Sequence, residues 1–449
     1  MEGIDLERQR DNRRSMILPA KITMLIGPLL LAACGSPLRS TTPRVVPTTS
    51  ISPLSTAAPT PWPSLVYQGP GVVVVGVSPV GNGNQGTRPS QLYLSTDLVH
   101  WTDITPPQSQ TADNSIYPWF QQASFLGPST GWVTSWNAAT THTTIYRTND
   151  GGKTWSAVAG AAHSANAGAA TLIDLVSPTT AFEEHLEPTG PGMSLAVTTD
   201  SGQTWKSVYS GPPPTASGNG RFSGPFEMPM TFANPMHGFA ALGLPPAEPL
   251  LVESNFFTTS DGGSTWVRQL PPLPNIPVAS ACPTGVTSTS STSCVFALPT
   301  FSDSKHGVLA AVVTAGTKAY VAFDVTSDGG QHWTRTSQQS VTVIPNGTQG
   351  GVQGQTGFGY PLICEPSVTS WWLLGWSALG AATRVTTDAG SNWSTNTAPL
   401  PTGVPTSLVA LDATHAVLTM EDVTTNGATT QLLTTTNSGR TWTPLHLPS

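Results

Sequence analysis

Charged residues are scarce in this chain. Only 10% of its 449 residues are charged, and 25 acidic residues against 18 basic ones give a net charge of −7. Proteins that bind nucleic acids usually carry a strongly basic patch, so we expect no nucleic-acid partner. The low charge, together with 43 Gly and 42 Pro and a high content of Thr and Val, is typical of an extracellular all-β protein.

Motifs of common catalytic and cofactor sites are also lacking. The sequence contains no His-Glu-x-x-His, no Walker loop and no Cys-x-x-Cys pair. No pattern places two carboxylates at the separation that glycoside hydrolysis requires, about 5–9 Å. Glu183 and Glu184 are adjacent, and neighbouring residues of a strand point to opposite faces. The sequence therefore predicts no catalytic residue, no metal site and no cofactor.

The first 33 residues resemble an export signal. Basic residues precede an apolar run at residues 24–33, which is too short to span a bilayer. The run ends in Leu31-Ala32-Ala33-Cys34, which resembles a bacterial lipobox and predicts lipidation of Cys34. An ordinary signal peptide with a chance cysteine is the alternative. We therefore expect an exported protein, anchored by lipid to the outer surface of a bacterial cytoplasmic membrane.

Residues 34–63 are rich in Ser, Thr and Pro and have almost no apolar periodicity. Such a segment buries too little apolar surface to fold. It is predicted to be a disordered tether between the lipid anchor and a folded body.

One turn motif recurs through the rest of the chain. It has an Asp, a Gly two residues later and a Trp five residues later, with Asn replacing Asp in the last copy. The copies are Asp150-Gly152-Trp155, Asp200-Gly202-Trp205, Asp261-Gly263-Trp266, Asp328-Gly330-Trp333, Asp388-Gly390-Trp393 and Asn437-Gly439-Trp442. A degenerate copy at residues 95–101 ends in Trp101. Seven copies spaced by about 55 residues indicate seven structural repeats.

Each repeat has the pattern of four short strands joined by tight turns. A second motif alternates with the first, in which an apolar residue such as Phe125, Phe232 or Phe301 is followed six residues later by Gly. Cys364 aligns with these phenylalanines and is predicted to be a buried residue of the first strand. The sequence thus predicts an all-β protein, a seven-bladed β-propeller of four-stranded antiparallel blades over residues 64–449.

The repeated motif resembles the Asp-box, or BNR repeat. Sialidases, sortilin-type receptors, xyloglucan-degrading glycosidases and the photosystem II assembly-factor family share this repeat. The second motif is most similar to the last family and its bacterial relatives. The resemblance covers residues 64–449 and implies the propeller fold, but the families differ in activity. The Phe-Arg-Ile-Pro motif of sialidases does not occur here.

The motif itself is predicted to be structural. The Asp carboxylate can accept backbone N–H bonds across the turn, the Gly can adopt positive φ, and the Trp can pack between neighbouring blades. Calcium binding or catalysis by the motif aspartates is the weaker alternative, because one motif per blade keeps them apart around the ring.

The two sides of such a propeller differ in their connections. The turns between first and second strands and between third and fourth strands share one side, the tight-turn side. The remaining connections share the opposite, long-loop side. Long irregular segments are predicted there at 78–90, 106–119, 136–143, 211–227, 242–254, 271–295 and 337–359. Trp119, Trp136 and Trp376 lie in or near them and are candidate ligand-binding residues, with packing under the loops as the alternative.

Four cysteines are present. Cys34 is the predicted lipid site. Cys282 and Cys294 flank a Ser/Thr-rich loop and are predicted to form a disulfide in an exported protein. A bridge between Cys294 and Cys364 is the alternative.

The sequence favours a non-catalytic, monomeric cell-surface scaffold that binds a protein or glycan through its long-loop side. The alternative is an exo-acting, sialidase-like glycoside hydrolase that acts on extracellular polysaccharide. A pair of carboxylates in a cleft on the long-loop side would favour the enzyme.

Overall fold

The fold is taken from a computed structural model. The structure describes residues 62–78, 90–107, 119–137, 142–159, 171–186, 193–211, 230–242, 255–269, 292–315, 318–342, 361–377, 380–424 and 427–448. These segments form seven separate antiparallel sheets. No helix in the described ranges is long and apolar enough to cross a membrane.

Each sheet is one blade, and its strands follow one another in chain order. The strands of blades one and two are β1 (Trp62–Gly69), β2 (Val72–Ser78), β3 (Gln91–Ser95), β4 (Thr102–Asp103), β5 (Trp119–Phe125), β6 (Gly131–Asn137), β7 (His142–Thr148) and β8 (Ser156–Val158). The strands of blades three and four are β9 (Thr171–Leu175), β10 (Ala181–Leu186), β11 (Met193–Thr198), β12 (Lys206–Gly211), β13 (Met230–Phe232), β14 (Gly238–Leu242), β15 (Asn255–Thr259) and β16 (Val267–Arg268).

Blade five has an additional short strand, because its first strand is split. The strands of blades five to seven are β17 (Thr292–Phe296), β18 (Thr300–Phe301), β19 (Gly307–Ala315), β20 (Lys318–Thr326), β21 (Thr334–Thr342), β22 (Leu362–Cys364), β23 (Trp371–Ser377), β24 (Gly380–Thr386), β25 (Ser394–Ala398), β26 (Val404–Ala410), β27 (Ala416–Thr424), β28 (Gly427–Thr435) and β29 (Thr443–Pro444). Both β17 and β18 pair with β19. The prediction of an all-β, seven-bladed propeller is confirmed.

The first strands of the blades lie innermost and contact one another around the ring, as β1 contacts β5 and β22 contacts β26. The ring closes where blade seven meets blade one. Val73 and Tyr93 pack there against Val417, with Leu445 from the C-terminal segment. The Tyr93 hydroxyl donates a hydrogen bond to the Pro448 carbonyl over 2.9 Å. Noncovalent packing therefore closes the ring.

The main cores lie between blades rather than within them. Side chains alternate along each strand, so one blade face meets the previous blade and the other face meets the next. In blade two, Val133 packs toward blade one and Trp132 packs toward Leu175 of blade three. In blade five, Phe323 stacks on Trp371 of blade six at 4.8 Å. This alternation assigns each strand residue to one of the two neighbouring blades.

Several predicted segment bounds were wrong by a few residues. The strand β1 begins at Trp62, two residues inside the predicted tether. The predicted irregular segment 337–359 begins within β21, and the segment 271–295 ends within β17. The segment 136–143 begins within β6 and ends within β7. The composition of β21 explains the error at 337–359, because a strand rich in Thr, Ser and Gln looks like a loop in the sequence.

Candidate functional site

The aspartate turns on the tight-turn side use their own polar groups. In blade two, Thr148 Oγ1 and the Thr154 amide donate to Asp150 Oδ1 over 2.8 and 2.9 Å, while Thr154 Oγ1 donates to Oδ2 over 2.6 Å. The Gly152 amide donates to Thr148 Oγ1 over 2.9 Å. These bonds, led by the Thr154 hydroxyl, lower the pKa of Asp150 to about 2. Both carboxylate oxygens are therefore engaged within the turn.

The same bonds recur in the other copies with different partners. His332 Nδ1 lies 2.6 Å from Asp328 Oδ2, and Asn392 Nδ2 donates to Asp388 Oδ2 over 2.6 Å. Asn437 supplies one acceptor oxygen, which takes the Thr441 amide over 3.0 Å. A residue whose side chain can donate a hydrogen bond can thus replace Thr154 at this point of the turn.

The two repeated motifs bond to each other in six blades. The residue after the motif Asp or Asn donates its amide to a carbonyl of the turn between the first two strands. The bonds are Gly151 to Ser129, Ser201 to Thr179, Gly262 to Met236, Gly329 to Lys305, Ala389 to Thr369 and Ser438 to Thr414, at 2.8–3.0 Å. The turn at Ser129 has the sequence Gly127-Pro128-Ser129-Thr130-Gly131, which matches the Gly-x-Ser-x-Gly pattern of a hydrolase nucleophile elbow. It joins two strands, whereas a nucleophile elbow joins a strand to a helix, so it has a structural role.

The motif tryptophans connect neighbouring blades. Trp155 Nε1 donates to the Ile104 carbonyl of blade one over 2.7 Å, and Trp205 Nε1 donates to the Ala159 carbonyl behind blade two over 2.7 Å. The aspartate turns and their tryptophans thus build the fold. The aspartate oxygens are engaged in local bonds, whereas Nε1 of Trp266, Trp333 and Trp442 has no hydrogen-bond partner among the described residues.

On the long-loop side, the three candidate tryptophans lie on strands and not in loops. Trp119 is the first residue of β5 and pairs with Trp136 near the end of β6. Trp376 lies near the end of β23. These strand ends are remote from the tight turns. The Trp136 side chain is half-buried, which leaves part of its ring available to a ligand.

The central strand of blade three contains three consecutive buried polar residues. Glu183 and Glu184 are each 2% exposed, and His185 is 4% exposed. Glu183 is the third residue of its strand. In the five other blades with the same turn bond, the third residue of the equivalent strand is apolar. Those residues are Val133, Ala240, Leu309, Leu373 and Leu418. The sequence pattern predicts that Glu183 and Glu184 point to opposite faces, but it gives no sign that they and His185 are buried.

Strand alternation divides these residues between two junctions. Ala181 packs toward blade two and Phe182 toward blade four. Glu183 and His185 therefore face blade two, and Glu184 faces blade four. The two glutamates lie on opposite faces of the blade, as the sequence predicts, so they do not flank one substrate bond.

Polar residues of blade two face Glu183 and His185. Gln122 accepts the Ile173 amide of blade three in a short hydrogen bond. Thr134 is directly opposite Gln122 across the strand pair, and Trp136 lies two residues further along the same face. We call Gln122, Thr134, Trp136, Glu183, His185 and Ser194 the blade two–three junction. Ser194 belongs to it because it pairs with His185.

A second set of polar side chains caps the inner strands. Ser124 Oγ accepts the Leu175 amide of the next blade over 2.9 Å, and Asp174 Oδ2 accepts the Phe232 amide over 2.7 Å. Cys364 Sγ accepts the Ala410 amide over 3.1 Å in the same way. These bonds satisfy N–H groups on the open edges of the inner strands.

The alignment of Cys364 with Phe125 was wrong by one residue. Cys364 pairs with Trp372 as Ser124 pairs with Trp132, so Cys364 corresponds to Ser124. The residue at the phenylalanine position is Glu365, which is 6% exposed. Burial of Cys364 was predicted correctly, and the thiol is free. Desolvation raises its thiol pKa well above the ordinary value.

Two inner carboxyls are desolvated. Burial raises the pKa of Asp174 to about 7, against the opposing effect of the Phe232 amide. Burial also raises the pKa of Glu365 to about 8. Glu365 Oε1 has no hydrogen-bond partner within the described strands and turns. These two groups hold protons more strongly than a solvated carboxyl does.

Two predicted sites lie outside the described residues. These are the lipidation site Cys34 and the disulfide partner Cys282. For Cys294 the structure gives only a backbone position, opposite Val313. Among the described residues, no group of three or more His, Cys, Asp or Glu side chains is placed to hold a metal ion.

Comparison with known proteins gives structural similarities only. No protein-family model matches the chain, and no curated protein matches it. Among solved structures, YCF48 from Cyanidioschyzon merolae is 13% identical over 80% of this chain and 94% of its own, with a TM-score of 0.46. The GH74 xyloglucanase from Xanthomonas campestris is 14% identical over 83% of this chain and 62% of its own, with a TM-score of 0.28. An oligogalacturonate lyase in complex with manganese is 8% identical over 82% of this chain and 86% of its own, with a TM-score of 0.47.

Proposed function

We propose that this protein is a non-catalytic scaffold of a bacterial cell surface that binds a protein or a glycan through its long-loop side. We assign it to the Asp-box propellers, on the basis of the turn motif and its bonds. The observation that carries the proposal is the difference between the two sides. The tight-turn side uses its aspartates internally, whereas Trp136 remains partly exposed on the long-loop side above a buried polar junction.

The chemistry of the long-loop side supports binding more than catalysis. A partly exposed indole offers a large, rigid contact surface at a low cost in side-chain entropy. Glu183 and Glu184 face different blades, which does not favour the paired-carboxylate geometry of glycoside hydrolysis. The glycosidase alternative therefore has no specific support from the described side chains.

Site-specific photo-crosslinking in cells tests which side binds. A photoreactive residue that keeps an aromatic ring, benzoylphenylalanine, replaces Trp136 on the long-loop side or, as the control, Met236, which is 50% exposed on the tight-turn side. We expect protein or glycan adducts from position 136 and none from position 236. Adducts only from position 236 would contradict the proposal.

A second assay tests the absence of catalysis. The full-length protein is incubated with a panel of chromogenic glycosides and with polysaccharides, followed by chromatography of the products. We expect no turnover. Reproducible turnover that is lost in Glu183→Gln would show that the protein is an enzyme.

The membrane anchor is also a proposal, supported by the apolar run, the lipobox-like sequence and the Ser/Thr/Pro-rich segment. Cys34→Ala should release the protein from the membrane fraction into the medium, because one cysteine carries the lipid. Cys364→Ala is the matched control and should remain membrane-bound. Continued membrane association of Cys34→Ala would rule out lipidation.

A further inference from the structure

The blade two–three junction has a composition that the other junctions lack. At the positions equivalent to Thr134, Glu183 and His185, neighbouring blades elsewhere in the ring meet mainly through apolar residues. An example is Leu374 of blade six, which packs with Leu418 and Met420 of blade seven. Here Thr134 meets a strand carrying Glu183 and His185. Burying several polar groups costs stability unless each is hydrogen-bonded. Such a composition therefore suggests a role other than stabilising the fold.

Two buried hydroxyls at the junction lack partners. Thr134 is fully buried and Ser194 is 5% exposed, and neither Thr134 Oγ1 nor Ser194 Oγ has a hydrogen-bond partner within the described residues. An unsatisfied buried hydroxyl costs about 1–3 kcal/mol. Both hydroxyls face the space between blades two and three, because Thr134 lies on the face of Trp132 and Ser194 lies opposite His185. Their hydrogen-bonding capacity is therefore available to a ligand that enters this junction.

The junction reaches the surface at Trp136. Its Cα lies two residues beyond that of Thr134 on the same face of β6, a separation of about 6.6 Å along a strand. A ligand that stacks on this indole can therefore extend a polar group to Thr134, Glu183 or His185. An aromatic face above a mixed set of hydroxyl, carboxyl and imidazole groups suits the C–H face and hydroxyl groups of a sugar.

Charge narrows the ligand class. The six junction side chains include no Lys or Arg that would pair with a phosphate, sulfate or uronic-acid group, whereas carboxyl, amide, imidazole and hydroxyl groups can all bond sugar hydroxyls. We propose that the blade two–three junction is a binding site for a neutral carbohydrate, with Trp136 stacking on a sugar ring and Thr134, Ser194, Glu183 and His185 bonding its hydroxyls. This inference rests on the proposed binding function and specifies its ligand.

The test separates binding from folding. Thr134→Val and Ser194→Ala remove unsatisfied hydroxyls, so neither should lower the melting temperature of the free protein. Each should weaken binding to neutral oligosaccharides on a printed glycan array about tenfold. Trp136→Ala should abolish measurable binding.

Thr419→Val is the matched control. Thr419 occupies the same strand position in blade seven, is 9% exposed and also has an unpartnered Oγ1. It should retain full binding. If Thr134→Val lowers the melting temperature and leaves binding unchanged, the hydroxyl is structural and the site is wrong.

The outcomes also distinguish this inference from the scaffold function. A wild-type protein that binds no neutral oligosaccharide, or prefers acidic ones, overturns the carbohydrate assignment. Protein adducts at position 136 would then still support the scaffold. Adducts at position 236 alone would overturn both.

Discussion

The aspartate turn of blade six places two residues with opposite requirements side by side. Ala389 has φ of 54° and Gly390 has φ of 82°, so both adopt a left-handed conformation. That conformation costs a non-glycine residue about 1–2 kcal/mol, while the greater freedom of glycine in the unfolded chain offsets about 0.5–1 kcal/mol of it. Ala389→Gly should therefore raise the free energy of unfolding by about 0.5–1 kcal/mol.

Gly390→Ala should have the opposite and larger effect. A Cβ at Gly390 would lie 2.3 Å from Ser337 Cβ and 2.8 Å from Trp371 Cζ3, far inside van der Waals contact. Overpacking costs about 1–3 kcal/mol, in addition to about 1–2 kcal/mol for the left-handed backbone. The free energy of unfolding should fall by about 2–5 kcal/mol.

Urea unfolding followed by tryptophan fluorescence measures both changes. Ser438→Gly is the comparison variant, because Ser438 has φ of 61° at the same position of blade seven but also donates its Oγ to the Ala413 carbonyl over 2.8 Å. Loss of that bond should offset most of the gain in Ser438→Gly. Destabilisation by Ala389→Gly, which removes no hydrogen bond of a side chain, would refute the reasoning.

Three further predictions concern pH and ring closure. Asp174 and Glu365 keep their protons in the fold to about pH 7 and about 8, while the unfolded chain releases them near pH 4. The urea midpoint should therefore fall as pH rises from about 4 to 8, and Asp174→Asn should flatten this slope. The turn aspartates act oppositely, since the His332 amide and imidazole lower the pKa of Asp328 to about 2. Their stabilisation should be lost as pH falls from about 4 to 2, and less so in Asp328→Asn, in acid unfolding followed by circular dichroism. Tyr93→Phe removes the bond to the Pro448 carbonyl and should lower the free energy of urea unfolding by about 1 kcal/mol.

Each of these has a clear contrary result. A urea midpoint that does not change between pH 4 and 8 would show that the inner carboxyls are not desolvated. Equal acid sensitivity of Asp328→Asn and wild type would remove the turn aspartates as a cause. Unchanged stability of Tyr93→Phe would show that packing alone closes the ring, and Tyr320→Phe serves as the control for loss of a hydroxyl.

The fold could be predicted from the sequence because its determinants are local and repeated. Asp150, Gly152 and Trp155 lie within six consecutive residues, and the bonds of Asp150 and Gly152 lie within residues 148–154, while the Gly151 amide reaches the adjacent turn. Strand bounds were harder, because nothing local distinguishes the polar strand Thr334–Thr342 from a polar loop. Its assignment depends on pairing with β20.

The register of blade six shows why a single residue could not be placed from the pattern. In blades two, four and five a phenylalanine ring lies against a glycine of the next strand, and a Cβ at Gly131 would meet the Phe125 ring at 2.2 Å. Blade six has Trp371 at the glycine position, and its indole fills the junction with blade five by stacking on Phe323. The aromatic residue has moved from one strand to the other. The sequence pattern of an apolar residue six before glycine therefore fails, and Glu365 occupies the vacated position.

The same comparison among blades explains why the polar junction was missed. Adjacent glutamates alone gave no sign of burial, because they would also suit an exposed strand. The burial of Glu183 is evident only from the register of the blades, because Glu183 occupies the position of the buried residues Val133 and Leu373. Repeats held by identical turns make their equivalent positions comparable, so a polar residue at an apolar position stands out only after the turns have been aligned. The aspartate turns thus reveal the polar junction indirectly, since they fix the register in which blade three departs from the others.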